Sequence, residues 1–169
     1  MSRILPADFF ARDTLTVAQE LVGQTLVRKT RKGIIRQIIA EVEAYDGPED
    51  KASHASKGFT ERTKVMFGPP GYWYIYFIYG MYWMLNIVTG DEGYPAAVLI
   101  RSTEDISGPG RLTRELRING ELNGMPASRE SGLWIEKGSN PAAVEALPRV
   151  GVSYAGEWAM KPYRFVKSG

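Results

Sequence analysis

Most apolar residues of this chain fall in short runs of strand length, separated by glycine, proline and small polar residues. The segment Ile34–Tyr45 is rich in β-branched residues and alternates only in part, with Ile35, Gln37, Ile39, Glu41 and Glu43 on one face. It predicts a strand, joined to a second over Thr25–Lys29 by a turn with Lys32-Gly33 at its tip. Two glutamates thus emerge at the end of a mostly apolar strand. Tyr72–Tyr79 and Tyr82–Val88 predict two strands meeting near Tyr79-Gly80-Met81, and Pro95–Ser102 predicts another. Shorter strands are expected around Leu133–Glu136 and Tyr163–Val166. Thr14–Leu21 reads as a helix that Asp13 or Thr14 caps and Gly23 ends. A second helix, Arg111–Ile118, follows Ser107-Gly108-Pro109-Gly110, with the proline near its first position. Asp46–Thr63, with Gly47-Pro48, charges and small residues, reads as a loop holding at most one helical turn. The sum is an α+β fold: a curved, mainly antiparallel sheet, a protruding β-hairpin and a few flanking helices. No repeat, low-complexity tract or linker interrupts the 169 residues, so one domain over 1–169 is expected.

The densest feature is Tyr72–Trp83, where eight of twelve positions are aromatic in a chain that is 11% aromatic overall. Five of the eight are tyrosines, and each hydroxyl needs a partner when buried. Two-sided aromatic strands are ordinary core strands, with Tyr72, Tyr74, Tyr76 and Ile78 on one face and Trp73, Ile75, Phe77 and Tyr79 on the other. Aromatics at a hairpin tip are less ordinary. Tyr79, Met81 and Tyr82 there could act as a wedge between base pairs, and rings left free could stack on nucleobases at about 1–3 kcal/mol per base.

Charge adds little. The net charge of +2 permits nucleic-acid binding without demanding it. The absence of cysteine excludes disulfides, thiol nucleophiles and Cys-based metal sites, and the single histidine excludes multi-histidine metal sites. Carboxylate-only magnesium binding stays open but has no motif behind it, so no cofactor or metal is expected. No apolar h-region follows Arg3, and no apolar run is long enough to span a bilayer, so the reading is a cytoplasmic protein without a membrane partner.

Glu43 sits where an apolar strand meets a Gly-Pro loop. A carboxylate there can take a proton from water when partly buried and oriented by a cation, though a solvated strand end would carry the same residue. Arg101, after the apolar run Ala96–Ile100, is a natural partner for it. His54 is a lone histidine, the kind more often packed than functional. Gly108, Gly110 and Arg111 suit an anion such as a phosphate, with free backbone N–H groups at a helix start. Arg111, Arg114 and Arg117 recur every three residues and read either as a basic stripe or as a solvated helix face.

Taken in order, Glu41-Val42-Glu43-Ala44-Tyr45 through Lys51-Ala52-Ser53-His54, then Met66-Phe67, Tyr74-Ile75-Tyr76, Tyr79-Gly80-Met81-Tyr82 and Asn86, resemble the signature of the alkyladenine DNA glycosylase family, the mammalian-type 3-methyladenine DNA glycosylases. Ser107–Leu112, Arg149-Val150-Gly151-Val152, Ala155–Trp158 and Pro162–Phe165 are similar to its later motifs. The segment between Arg101 and Ser107 is shorter than in many relatives. The resemblance implies a monofunctional, monomeric enzyme of base excision repair, nucleoid-associated if bacterial. It would bind double-stranded DNA containing damaged purines, flip out an alkylated or deaminated purine and hydrolyse its N-glycosidic bond, leaving an abasic site. It also implies roles. Glu43 would activate the attacking water and Arg101 would orient both. Tyr45, His54 and Tyr76 would enclose the base, and Asn86 would disfavour guanine. Tyr79, with Met81 beside it, would intercalate. Two rivals remain open from the residues alone: a non-enzymatic single-strand binder using the same rings, and a metal nuclease using Glu41, Glu43 and Asp46.

Overall fold

The β-branched run forms the 14-residue strand β2 (Gly33–Asp46), and the sheet is organised around it. The computed structural model describes residues 3–138 and 143–168. The first half of β2 pairs antiparallel with β1 (Thr25–Thr30), from Thr25 opposite Ile38 to Thr30 opposite Gly33. Its second half pairs on the other side with β5 (Ala96–Thr103), from Ile39 opposite Thr103 to Asp46 opposite Ala96. A strand that changes partners midway bends the sheet, which curls into a half-barrel. The order is β3-β4-β5-β2-β1-β6, where β3 is Trp73–Ile78, β4 is Tyr82–Val88 and β6 is Leu133–Glu136. Two further strands, β7 (Val144–Leu147) and β8 (Arg164–Lys167), attach where Glu41–Glu43 pairs with β8. Every strand pair is antiparallel.

The helices are α1 (Ala7–Phe10), α2 (Thr14–Leu21) and α3 (Pro109–Glu115). The span of α2 is the one its sequence predicts. Asp13 caps it by accepting from Thr16 N at 3.0 Å, a contact worth about 1 kcal/mol. The core lies between these helices and the concave face, from Val17 and Leu21 to Trp73, Leu85, Val98, Ile100 and Leu112. Each such aliphatic side chain contributes about 1.5–3 kcal/mol through burial. Among the described residues no helix is long and apolar enough to cross a membrane.

Two expectations need correction. Strict alternation would put Ile39, Glu41 and Glu43 on one face, but irregularities flank Glu41: Ile39 pairs with Thr103, Glu41 with Ser102 and Val42 with Ile100. An extra residue on β2 and then one on β5 shift the phase of the pleat. Ile39 therefore joins the core together with Val42 and Ala44, and Glu43 turns the other way. The second correction concerns α3, which stops three residues before the predicted Ile118. Ile118 N bonds Thr113 O at 2.8 Å and Arg117 N bonds Arg114 O at 3.3 Å. This is a Schellman stop with Arg117 in the left-handed region, φ 54°. Arg117 thereby leaves the expected stripe. The strand β7 carried no expectation at all, because it is largely exposed and lacks an apolar face.

Candidate active site

The β3–β4 hairpin leaves the body of the protein as it proceeds. Trp73, Tyr74 and Ile75 are buried, whereas Phe77 is exposed. At its tip Met81 N bonds Ile78 O at 3.0 Å, and Tyr79 and Gly80 have φ of 53° and 63°. Both central residues of the turn are left-handed, and with Ile78 paired to Tyr82 the loop holds three residues, Tyr79–Met81. Glycine accepts that backbone without strain, but tyrosine does not, at a cost of about 1–2 kcal/mol. The strained residue is the one thrown outward: Tyr79 is 84% exposed, with Met81 at 63% beside it.

Behind the hairpin opens a cleft of about 760 Å³, within the range of small-molecule sites. It is lined by Tyr45, His54, Tyr74, Tyr76, Asn86 and Arg101, and its rim includes Tyr79 and Gly108–Arg111. The predicted base-pocket residues are thus brought together from four separate segments. The rings of His54 and Tyr76 meet edge to face with centroids 4.7 Å apart, and Tyr74 lies 5.3 Å from Tyr76. Burial, helped by the charges of Arg62 and Lys57, pulls His54 down to about 4, so the imidazole is neutral at pH 7 with one donor and one acceptor. Burial pushes the Tyr74 phenol up to about 12, and its buried hydroxyl has no partner among the described residues. Asn86 donates from Nδ2 to Tyr74 O at 3.1 Å and Met84 O at 3.3 Å, which pins its side chain against the wall.

Glu43 is fully buried and stands just behind that wall. Its Oε1 accepts from the Tyr45 hydroxyl at 2.9 Å and from Arg101 at 3.4 Å, and its Oε2 accepts from Val150 N at 2.6 Å. All three donor residues line the cleft. Burial and the adjacent Glu43 carboxylate hold the Tyr45 phenol well above its ordinary value, so Tyr45 stays a donor. The predicted pairing of Arg101 with Glu43 is present. Arg101 also lies 3.7 Å from Glu41, which Arg164 binds at 3.0 Å. A guanidinium thus stands between the two carboxylates. Asp46 is engaged elsewhere, by the Tyr94 hydroxyl at 3.0 Å. Among the described residues no group of three or more histidines and carboxylates is placed to hold a metal.

At the rim the expected anion seat is partly occupied by the protein itself. Gly108 N donates to Ser102 Oγ at 3.1 Å, and Arg111 pairs with Glu115 at 2.9 Å. Gly110 has a steric duty, since a Cβ there would collide with the Tyr82 ring.

Three residues had no part in the sequence reading of the site: Arg149, Asp50 and Arg62. Arg149 and Asp50 form a fully buried bidentate pair at 2.6 and 3.0 Å. The same guanidinium bonds Ala44 O and Trp158 O and stacks at 5.0 Å on both Tyr45 and Tyr163. It fixes the ring of Tyr45 and, one residue on, the N–H that holds Glu43. The only sequence signal was its place in the string Arg149-Val150-Gly151-Val152. Arg62, 5.0 Å over the Tyr76 ring, is the third, and nothing in its local sequence marks it.

Comparison with known proteins bears on the family. The family model described as methylpurine-DNA glycosylase matches residues 8–108 and 104–169. A protein of Methanocella arvoryzae is 47% identical over 182 residues, covering 96% of this chain and 91% of its own. One from Anaeromyxobacter dehalogenans is 49% identical, covering 98% and 84%, and one from Legionella pneumophila is 46% identical, covering 96% and 93%. All three bear the name "Putative 3-methyladenine DNA glycosylase". The chain belongs to the methylpurine-DNA glycosylase family and is a DNA-repair hydrolase of N-glycosyl bonds.

Proposed function

We propose that this protein, acting through residues 1–169 as one domain, binds duplex DNA, extrudes an alkylated or deaminated purine into the cleft and hydrolyses its N-glycosidic bond. The observation that carries this reading is the juxtaposition of a fully buried carboxylate, Glu43, with an aromatic cleft, joined through the hydroxyl of Tyr45. A purine that enters between Tyr45, His54 and Tyr76 stacks on rings already held in place. Stacking at about 1–3 kcal/mol per base offsets an extrusion cost of a few kcal/mol, which is least for damaged or mispaired bases. Tyr79 fills the gap that the nucleotide leaves in the duplex, and its left-handed backbone presents it for that purpose.

A water admitted to the cleft beside Glu43 is held by the carboxylate, which keeps its bonds to Arg101 and Val150 N. Glu43 accepts a proton from that water as its oxygen bonds to C1′, while Arg101 orients both groups. The C1′–N bond breaks with its electron pair going to the purine, and an abasic site remains. A positioned general base is worth about 10²–10⁴ in rate. An alkylated purine carries positive charge and leaves readily, so one base and one water suffice. It also gains by cation–π attraction to the tyrosine faces. Asn86, pinned by two carbonyls, leaves little room for the exocyclic amine of guanine. The reading implies a monomer at work in the cytoplasm, on the nucleoid of a bacterial host.

Glu43→Gln tests it. Duplexes carrying hypoxanthine or ethenoadenine are incubated with protein and then treated with alkali to reveal abasic sites. The variant should release base at least 100-fold more slowly, the low end of the general-base range, yet still bind duplexes that hold an abasic site. Base release at the unmodified rate would remove Glu43 from the mechanism.

A further inference from the structure

A second groove opens at the end of α3 remote from its cleft-lining start. Its volume is about 590 Å³, and its lining includes Arg28, Lys29, Arg31, Arg117 and Arg129, with Glu130 as the one carboxylate. Among the described residues none of these five cations takes part in a salt bridge. A chain of net charge +2 thus concentrates positive charge at a place the catalytic reading does not use.

Two of the arginine side chains and the backbone of a third are held in position by separate devices. Arg28 donates to three backbone carbonyls: Leu116 O at 3.0 Å, Gly132 O at 3.3 Å and Arg117 O at 3.0 Å. Of its five N–H groups, two are left over. Burial lowers its pKa, as expected of a cation that lacks a counter-charge. Arg117 occupies the left-handed position of the Schellman stop, where glycine is the usual residue. Arg129 stacks over Trp134 at 5.3 Å. Guanidinium groups held like those of Arg28 and Arg129 match the oxygens of a phosphodiester, which arginine can bind through two parallel bonds. A merely solvated basic face needs no such anchoring.

The groove lies at the far end of the helix whose start borders the cleft. Arg114 lines the cleft, and Arg117, three residues on, lines the groove. From Arg111 to Glu115, the last helical residue, α3 advances about 6 Å at 1.5 Å per residue. That is about two nucleotide steps at about 3.4 Å of rise per strand. We propose that this groove is a second phosphodiester-binding surface for duplex DNA, which grips the backbone a few nucleotides from the extruded base. The proposal rests on the reading of the chain as an enzyme of duplex DNA. It adds that affinity is distributed beyond the lesion.

The test uses the full chain and the double variant Arg31→Gln/Arg117→Gln, with Arg3→Gln/Lys137→Gln as a charge-matched control at the other end of β6. Binding to a lesion-bearing duplex is measured across a salt series. Each phosphate contact contributes about 0.9 to the slope of log K against log[salt]. The groove variant should therefore lose about tenfold less affinity than the unmodified protein between 50 and 200 mM salt. It should bind more weakly at the low end and release base at an unchanged rate under saturating single-turnover conditions. Charge reversal at one position, Arg117→Glu, gives a second reading if the double variant is unstable. An unchanged slope, or an equal change in the control, would overturn the groove as a DNA surface. Absence of base release by the unmodified protein would instead remove the glycosylase reading itself.

Discussion

Replacement of Asp50 by alanine removes the counter-charge of Arg149, and its cost follows from the geometry. Asp50 accepts two bonds from the guanidinium and one each from Asp46 N and Ala52 N, both at 3.0 Å. Both side chains of the ion pair are fully buried. Removal of one partner from such a pair leaves an uncompensated charge and costs about 3–5 kcal/mol. The orphaned backbone donors push the value toward the upper end. At about 2–4 °C per kcal/mol for a protein of this size, the melting temperature should fall by about 6–20 °C. Urea denaturation followed by tryptophan fluorescence measures the loss directly. Asp50→Leu/Arg149→Met removes both charges, and isosteric apolar replacements of buried pairs are often neutral, so it should cost far less than the two single changes added together. Because Arg149 also fixes Tyr45 and the chain at Val150, Asp50→Ala should slow base release even well below its melting temperature. A loss under about 1 kcal/mol, or single changes that simply add, would refute the view of this pair as the brace of the site.

His54 is the only histidine, so its ring resonances in proton NMR are unambiguous, and they should show no titration above about pH 5. Because its folded pKa lies below the unfolded value of about 6.5, its contribution to stability is complete above that pH and is lost as pH falls toward 4; a midpoint near 6.5 would contradict the burial argument. Tyr79→Ala should weaken binding to lesion-bearing duplexes by several-fold more than binding to undamaged DNA in a fluorescence-anisotropy titration, and equal losses on both would argue against a wedge. The same variant should be no less stable, since the change removes a side chain that is 84% exposed from a strained backbone position.

The strands were legible because their apolar residues are β-branched or aromatic and bounded by turn residues. Tyr82–Val88 and Leu133–Glu136 carry the same bounds in sequence and structure. The exposure of Tyr79 and Met81 followed from their place at a tip, and the pairing of Arg101 with Glu43 from the end of an apolar run. What stayed hidden has a common cause. The Asp50–Arg149 pair joins residues 99 positions apart, and the cationic groove gathers residues from β1, the end of α3 and the turn before β6. Neither leaves a local pattern. The departure from alternation near Glu41 was equally invisible, since the irregular residues have ordinary strand propensities and the extra residue shows only in the partner's register. The early stop of α3 was masked because Arg117 stands where a glycine would have announced it.

The irregular pairing around Glu41 makes the count of residues in β2 as consequential as their identity. Lose the irregularity without losing a residue and the parity of everything downstream inverts: Glu43 would be driven into the hydrocarbon interior while Val42 and Ala44 were offered to the solvent-facing side. No change at the carboxylate itself would be needed to turn it away from the cleft. In this architecture the acid is aimed by an offset in the backbone, and chain length in that stretch is under the same constraint as the acid.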